Sequence, residues 1–232
     1  AGANTVQLAS GNTLSFDLAS LDVGSGIRPL EIAGSRNGLV PIRPISPFLL
    51  KWQDAIDSIR GSDTPPSIVV IGAGLAGIEV VLAIKFRLTQ LGVPDAKVHL
   101  VDAGNEIASG NPLALRLKLH RALDRANITL WLNARVRSVD AGIVRLPTGE
   151  TLEAALAVNC SGSAPPYWIG ESALSTVQGR VEVDPCLRST SHTNIWAAGD
   201  TSYFKASPLE PAGVFAVRAG PVIAENIQRW SQ

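Results

Sequence analysis

The stretch IVVIGAGLAGIEV, residues 68–80, decides the fold. Residues 68–71 form an uninterrupted apolar run, which predicts a strand buried on both faces. Gly72, Gly74 and Gly77 follow in the pattern G-x-G-x-x-G, and helical spacing then continues from 75 to about 91, where Gly92 stops it. Residues 98–101 read as a second strand, which completes a βαβ unit. In such a unit the first glycine allows a tight turn, the second lets the backbone approach a pyrophosphate, and the third lets helix and strand pack closely. With Leu75 at the first helical position, the helix N-terminus faces that pyrophosphate with unpaired N–H groups. The expected ligand is therefore a dinucleotide.

Asp102 ends the second strand, where a carboxylate accepts hydrogen bonds from ribose hydroxyls, although an aspartate there also simply opens loops. No arginine occurs from Ala103 through Pro112, so the cation expected beside a 2′-phosphate is missing and NAD(H) is favoured over NADP(H). Glu79, two residues beyond Gly77, is read two ways: as a partner of the helix dipole or as a ligand-side acid.

An internal repeat sits on either side of this unit. VQLASGNTLSFDLASLDVGS at 6–25 aligns without a gap with VRLPTGETLEAALAVNCSGS at 144–163, at an offset of 138. Both glycines match, Gly11 with Gly149 and Gly24 with Gly162, and each copy reads as a meander that leads into a loop. A βαβ unit precedes only the second copy, so the first module is expected to be incomplete. Between the copies, 41–47 reads as a proline-spaced linker, 48–59 as a helix and 61–66 as a hinge. Residues 113 onward alternate like a strand, but Asn111-Pro112 and Asn127 read as helix boundaries and a helix is expected. A strand at 128–132 follows. Beyond Pro165-Pro166 the chain reads as irregular as far as a strand at 194–197. A final helix starts near Gly213, with a bend expected at Gly220-Pro221.

Composition narrows the function classes. The chain has 232 residues with 20 basic and 20 acidic side chains, so it carries no net field to attract nucleic acid. No apolar run is long enough to span a bilayer, and a soluble, cytoplasmic protein is expected. Cys160 and Cys186 are too far apart for a CxxC pair, and the three histidines lack metal-ligand spacing, so no metal site and no catalytic side chain is singled out. Position 1 is not methionine, which suggests a piece of a longer chain. The sequence Ile195-Trp-Ala-Ala-Gly199-Asp200 presents one carboxylate at a strand end beside bare backbone, suited to a hydroxyl-rich ligand.

GAGLAGIE at 72–79, NCSGSAPPYW at 159–168, LRSTSHTNIWAAGD at 187–200 and PAGVFAVRAGPVIAENI at 211–227 together resemble the pyridine nucleotide-disulfide oxidoreductase superfamily. SLDVGS at 20–25, PISPFLLKW at 44–52 and VFAVRAGP at 214–221 look most like the branch fused or adjacent to selenide, water dikinase and related to type II NADH dehydrogenases. The resemblance implies an α/β fold: a Rossmann-like NAD-binding domain (63–166) inserted in an incomplete FAD-binding domain (1–62 and 167–232) that lacks its N-terminal FAD motif. It implies that Asp200, after Gly199, binds the FAD ribityl chain, with Gly24 and Ser25 beside FAD and Gly162 at the matching NAD-side crossover. Glu79 would lie near the nicotinamide, and the helix starting at Gly213 would point at the flavin. The implied parent is an FAD-dependent NADH oxidoreductase with an unknown second acceptor, quinone included, that forms a homodimer or sits peripherally at a membrane. This chain alone is then expected to bind NAD(H) and hold FAD weakly or not at all. A non-catalytic NAD(H)-binding module or redox sensor is the competing expectation, and a sulfide:quinone-type oxidoreductase a weaker one.

Overall fold

A computed structural model describes residues 4–60, 66–208, 213–230 and 232. Most of the expected hinge at 61–66, and Pro211 and Ala212 of the last motif, lie outside the described residues. The chain divides into two compact units, Ile27–Gly162 and the combination of Ala1–Gly26 with Ser163–Gln232.

The Ile27–Gly162 unit is built on the βαβ expected around the glycines. Ser67–Ile71, Lys97–Val101 and Ile128–Trp131 pair in parallel, as do Ser67–Ile71 and Leu156–Asn159. Leu156–Asn159 also pairs in parallel with Val40–Pro41, giving five strands in the order 40–41, 156–159, 67–71, 97–101, 128–131. Alternation along the central strand divides the core. Ile68 and Val70 pack with Val98, Leu100 and the helices Ile45–Arg60, Leu75–Gln90 and Leu113–Arg125. Val69 and Ile71 face the other way, toward Val139, Val144 and Leu152 of an antiparallel meander, Ser138–Asp140, Ile143–Arg145 and Thr151–Glu153. Both sheet faces are covered, which is why the strand carries apolar residues without alternation.

Residues 113–125 are helical as expected. The boundary differs in detail: Pro112 is the N-cap, and the Asn111 side chain donates instead to the Ala108 carbonyl at 3.0 Å.

The unit boundary falls at Ile27, earlier than the proline linker suggests, because the segment after it is tied to the meander. Val139 N–H donates to Ala33 O at 2.9 Å, and a side chain at Gly34 would lie 1.9 Å from the Val139 carbonyl oxygen. Pro41, read as linker, belongs to an edge strand, a position where a proline costs no ladder hydrogen bond.

In the other unit the repeat is visible as structure. Thr5–Gln7 and Thr13–Ser15 form an antiparallel hairpin, and Ala19–Leu21 pairs in parallel with Ile195–Ala197. The stretch after Pro166, read as irregular, contains the helix Tyr167–Gly170 and strands Thr176–Val177 and Arg180–Val183, the latter parallel to Ser202–Phe204. These elements are two to four residues long, too short to give a periodic signal. The last helix, Gly213–Trp230, continues through Pro221 and buries Ile223 beside Trp196 and Ala198.

Candidate functional site

The glycine turn is held by contacts that only glycine permits at two of its three positions. Gly72 has φ +109°, and a Cβ there would lie 2.8 Å from the Ser161 Cα. At Gly77 a Cβ would lie 1.8 Å from the Gly72 carbonyl oxygen, inside any van der Waals limit. Gly74 differs. Its backbone is extended with φ −69°, a conformation open to every residue, and a Cβ on it would meet no atom of the described residues within 4 Å. The fold therefore requires Gly72 and Gly77 but not Gly74.

Gly74 is also the N-cap of the helix Leu75–Gln90, and no side chain caps that helix. Leu75 and Ala76 are exposed, and the N–H groups of a helix's first turn have no partner within the helix. Bare N–H groups behind a side-chain-free position are what a phosphate-bearing ligand needs, and the residues present fit a dinucleotide.

Asp102 lies beside this turn. Its Oδ2 accepts from Ala73 N–H at 2.6 Å and its Oδ1 from Gly104 N–H at 2.6 Å. The carboxylate thus braces the glycine turn, and each oxygen keeps lone-pair capacity for a further donor. Glu79 is exposed in the second turn of the helix. Gly162, φ +67°, ends the unit where Arg28 N–H donates to its carbonyl at 3.1 Å.

In the second unit the other sequence-predicted residues converge. Ser25 Oγ donates to Asp200 Oδ2 at 2.6 Å, and Thr201 Oγ1 donates to the Gly24 carbonyl at 3.3 Å. Gly199 has φ +58°, and a Cβ there would lie 2.8 Å from the Ala216 Cβ, so glycine lets the helix beginning at Gly213 approach the strand end. Two backbone segments 175 residues apart in sequence are joined by the Ser25–Asp200 bond.

Cys160 is buried, and burial pushes its thiol up to about 12, so it is a poor nucleophile at neutral pH. Cys186 is exposed in a turn where its N–H donates to Asp184 Oδ1 at 2.8 Å. No group of three or more potential metal ligands occurs among the described residues. One charged feature beside the site was missed by sequence reasoning: an ion pair between Glu106 and Arg116, whose arginine lies four residues past Pro112, where the arginine-free stretch ends.

A parallel sheet with a glycine turn at one strand end, in a chain that repeats the same meander in a separate unit, defines a protein of the two-module dinucleotide-fold class. The chain belongs to the pyridine nucleotide-disulphide oxidoreductase family, whose model matches residues 2–226. An NADH dehydrogenase-like protein of Mycobacterium tuberculosis is 32% identical over 142 residues, covering 59% of this chain and 35% of the relative. The rubredoxin-NAD(+) reductase of Pseudomonas putida is 27% identical over 205 residues, 86% of this chain and 50% of the relative. Among solved structures, the water-forming NADH oxidase from Lactobacillus brevis superposes with a TM-score of 0.74 at 21% identity, covering 93% of this chain and 47% of that one. The NAD-dependent persulfide reductase from A. fulgidus gives 0.76 at 21% identity, with 96% and 41% covered. The chain thus spans half or less of the length of these proteins, and the solved structures establish the shared fold.

Proposed function

We propose that this chain is the NAD(H)-binding part, with a portion of the FAD-binding part, of an FAD-dependent NADH oxidoreductase that passes electrons to a second acceptor. The observation that carries the NAD(H) half is Gly74. It is the one glycine of the turn with no neighbour of its own, and it faces outward from an uncapped helix end, so an outside ligand accounts for it.

In this reading Gly72 and Gly77 shape the turn, Gly74, Leu75 and the helix N–H groups hold the pyrophosphate, and Asp102 accepts from a ribose hydroxyl. Glu79 lies toward the nicotinamide and Gly162 at the crossover beside it. In the other unit, Asp200, braced by Ser25, accepts from a polyhydroxyl chain, with Gly24 and Gly199 keeping backbone bare beside it. The helix from Gly213 directs its positive end toward an electron-rich ring. Bound FAD would supply an acceptor for hydride from NADH. The protein's share is binding, alignment and exclusion of side reactions, with no acid or base required for hydride transfer.

In this reading the unit Ala1–Gly26 with Ser163–Gln232 is the FAD side and the unit Ile27–Gly162 the NAD side, in place of the boundaries near 62 and 166 expected from the sequence, and residues 1–62 hold no second G-x-G-x-x-G motif for FAD. Relatives named as rubredoxin and quinone reductases support a protein or quinone acceptor for the whole protein. A quinone would place it peripherally at a membrane, although no helix among the described residues is long and apolar enough to cross one. The sequence motifs at 20–25, 44–52 and 214–221 favour the branch tied to selenide, water dikinase, and a homodimer is part of the same reading.

Gly74→Ser tests the nucleotide site. Serine is a preferred N-cap, so stability should hold or rise by about 0.3 kcal/mol, while its side chain takes the phosphate's space. The NADH dissociation constant, read by fluorescence titration, should rise at least tenfold, roughly 1.4 kcal/mol. Unchanged NADH affinity in a folded variant would refute the site. For the whole protein, anaerobic NADH should bleach its flavin absorption band, and bound flavin that stays unbleached would overturn the oxidoreductase reading.

A further inference from the structure

Resting on the reading of the glycine turn as an NAD(H) site, we infer that the Glu106–Arg116 ion pair sets the discrimination between NAD(H) and its 2′-phosphorylated form. The loop leaving Lys97–Val101 returns to the glycine turn within six residues, and Ala73 anchors both of its ends. Ala73 N–H donates to Asp102 Oδ2 at 2.6 Å, and the Ala73 carbonyl accepts from Ala108 N–H at 2.8 Å. Ile107 and Ala108 are buried in the core, so this return is fixed by packing as well as by hydrogen bonds.

Glu106 precedes Ala108 by two residues, which keeps its Cα within about 7.6 Å of the Ala108 Cα. The loop is wound closely around Asp102: a Cβ at Gly104 would lie 3.0 Å from Asp102 Oδ1 and 3.9 Å from the Glu106 carbonyl oxygen. Glu106 is therefore held on the same short loop as the carboxylate that selects a free ribose.

Arg116 comes from the opening turn of the helix Leu113–Arg125 and forms its ion pair with Glu106. The arginine side chain is 22% exposed, and its Nε is buried without a hydrogen-bond partner among the described residues. This is an arginine paired to the loop that carries the ribose-binding acid, the kind of cation a 2′-phosphate would require, but its charge is already matched. Glu106 thus acts twice: it occupies the guanidinium and adds a negative charge that repels a phosphate approaching Asp102. The loop chooses NAD(H) by sequestering a cation rather than by lacking one.

Glu106→Gln would free Arg116 while keeping the size of the side chain. Calorimetric titration of the chain with adenosine 5′-phosphate, adenosine 2′,5′-bisphosphate, NADH and NADPH compares ligands with and without the extra phosphate. Glu106→Gln should tighten the bisphosphate and NADPH about tenfold and leave the other two within about twofold. Adding Arg116→Gln should erase the gain. Arg116→Gln alone leaves Glu106 uncompensated and should weaken NADPH at least about threefold with NADH unmoved, so the test survives if the first variant does not fold.

NADH binding that persists with no NADPH gain in Glu106→Gln, or a gain that survives loss of Arg116, would overturn this inference and leave the nucleotide site standing. If wild type binds no NADH, both fall.

Discussion

The hairpins Thr5–Gln7/Thr13–Ser15 and Ile143–Arg145/Thr151–Glu153 are the same object in two surroundings. Val6 pairs with Leu14, and 138 residues later Val144 pairs with Leu152 in the same register. The turns match bond for bond: Leu8 N–H to Asn12 O and Gly11 N–H to Leu8 O recur as Leu146 to Glu150 and Gly149 to Leu146. Burial does not match. Val6 and Leu14 are 41% and 54% exposed, whereas Val144 and Leu152 are 0% and 7% exposed beneath the parallel sheet. Register in these hairpins is thus fixed by the glycine turn, and what the apolar pair contributes depends on whether a sheet lies over it.

That contrast breaks most sharply on truncation of the leucines. Leu152→Ala opens a cavity in a packed layer and should lower stability by about 2–4 kcal/mol in urea denaturation, while Leu14→Ala should cost under about 0.5 kcal/mol. Equal losses would mean that the first hairpin is covered as well.

A smaller effect should be shared. Gly11 and Gly149 have φ +87° and +99°, and a Cβ at either would have no neighbour within 4 Å, so the strain of a side chain is purely local. Gly11→Ala and Gly149→Ala should each cost about 1 kcal/mol, alike within a few tenths. A large difference would mean that the turn, like the leucine pair, senses its surroundings.

The same distinction between local and tertiary causes explains what was legible in the sequence. The glycine turn, the strand before it and the repeat are local patterns, and the structure reproduces them closely, down to matched registers. The α/β fold class followed from the buried run at Ile68–Ile71. Residues 27–60 were harder to place because their attachment depends on contacts such as Gly34 against Val139, a pair more than 100 residues apart that has no periodic signature. Pro41 argued against a strand, yet an edge position with its neighbour on one side absorbs the missing donor. At the candidate site, the place of Asp102 at the end of a strand was legible. Its bond to Ala73 N–H and the Arg116 ion pair were not, because both depend on how the following loop folds back.

The smallest effect contrasts position 160 with its repeat counterpart. Asp22, at the matching place in the first copy, is exposed and accepts a hydrogen bond from Ser20 Oγ at 3.1 Å. Cys160 is buried against the glycine turn, with its N–H donating to the Ile71 carbonyl at 2.8 Å. At pH 8 a thiol-reactive dye should label Cys186 quickly and reach Cys160 only when Leu156–Asn159 parts from Ser67–Ile71. Fast labelling of both would contradict that packing. The pH dependence has a definite sign. Burial raises the Cys160 thiol from 9.0 to about 12, so between those values the folded chain keeps a proton that the unfolded chain releases. The folded state binds more protons there, and its stability must fall as pH rises above about 9. Relative to Cys160→Ala, which cannot titrate, wild type should lose up to about 1.4 kcal/mol per pH unit through that window. A wild-type advantage that stays constant from pH 8 to about 10.5 would mean that the thiol ionises equally well in both states, which a buried group beside Gly77 could not do.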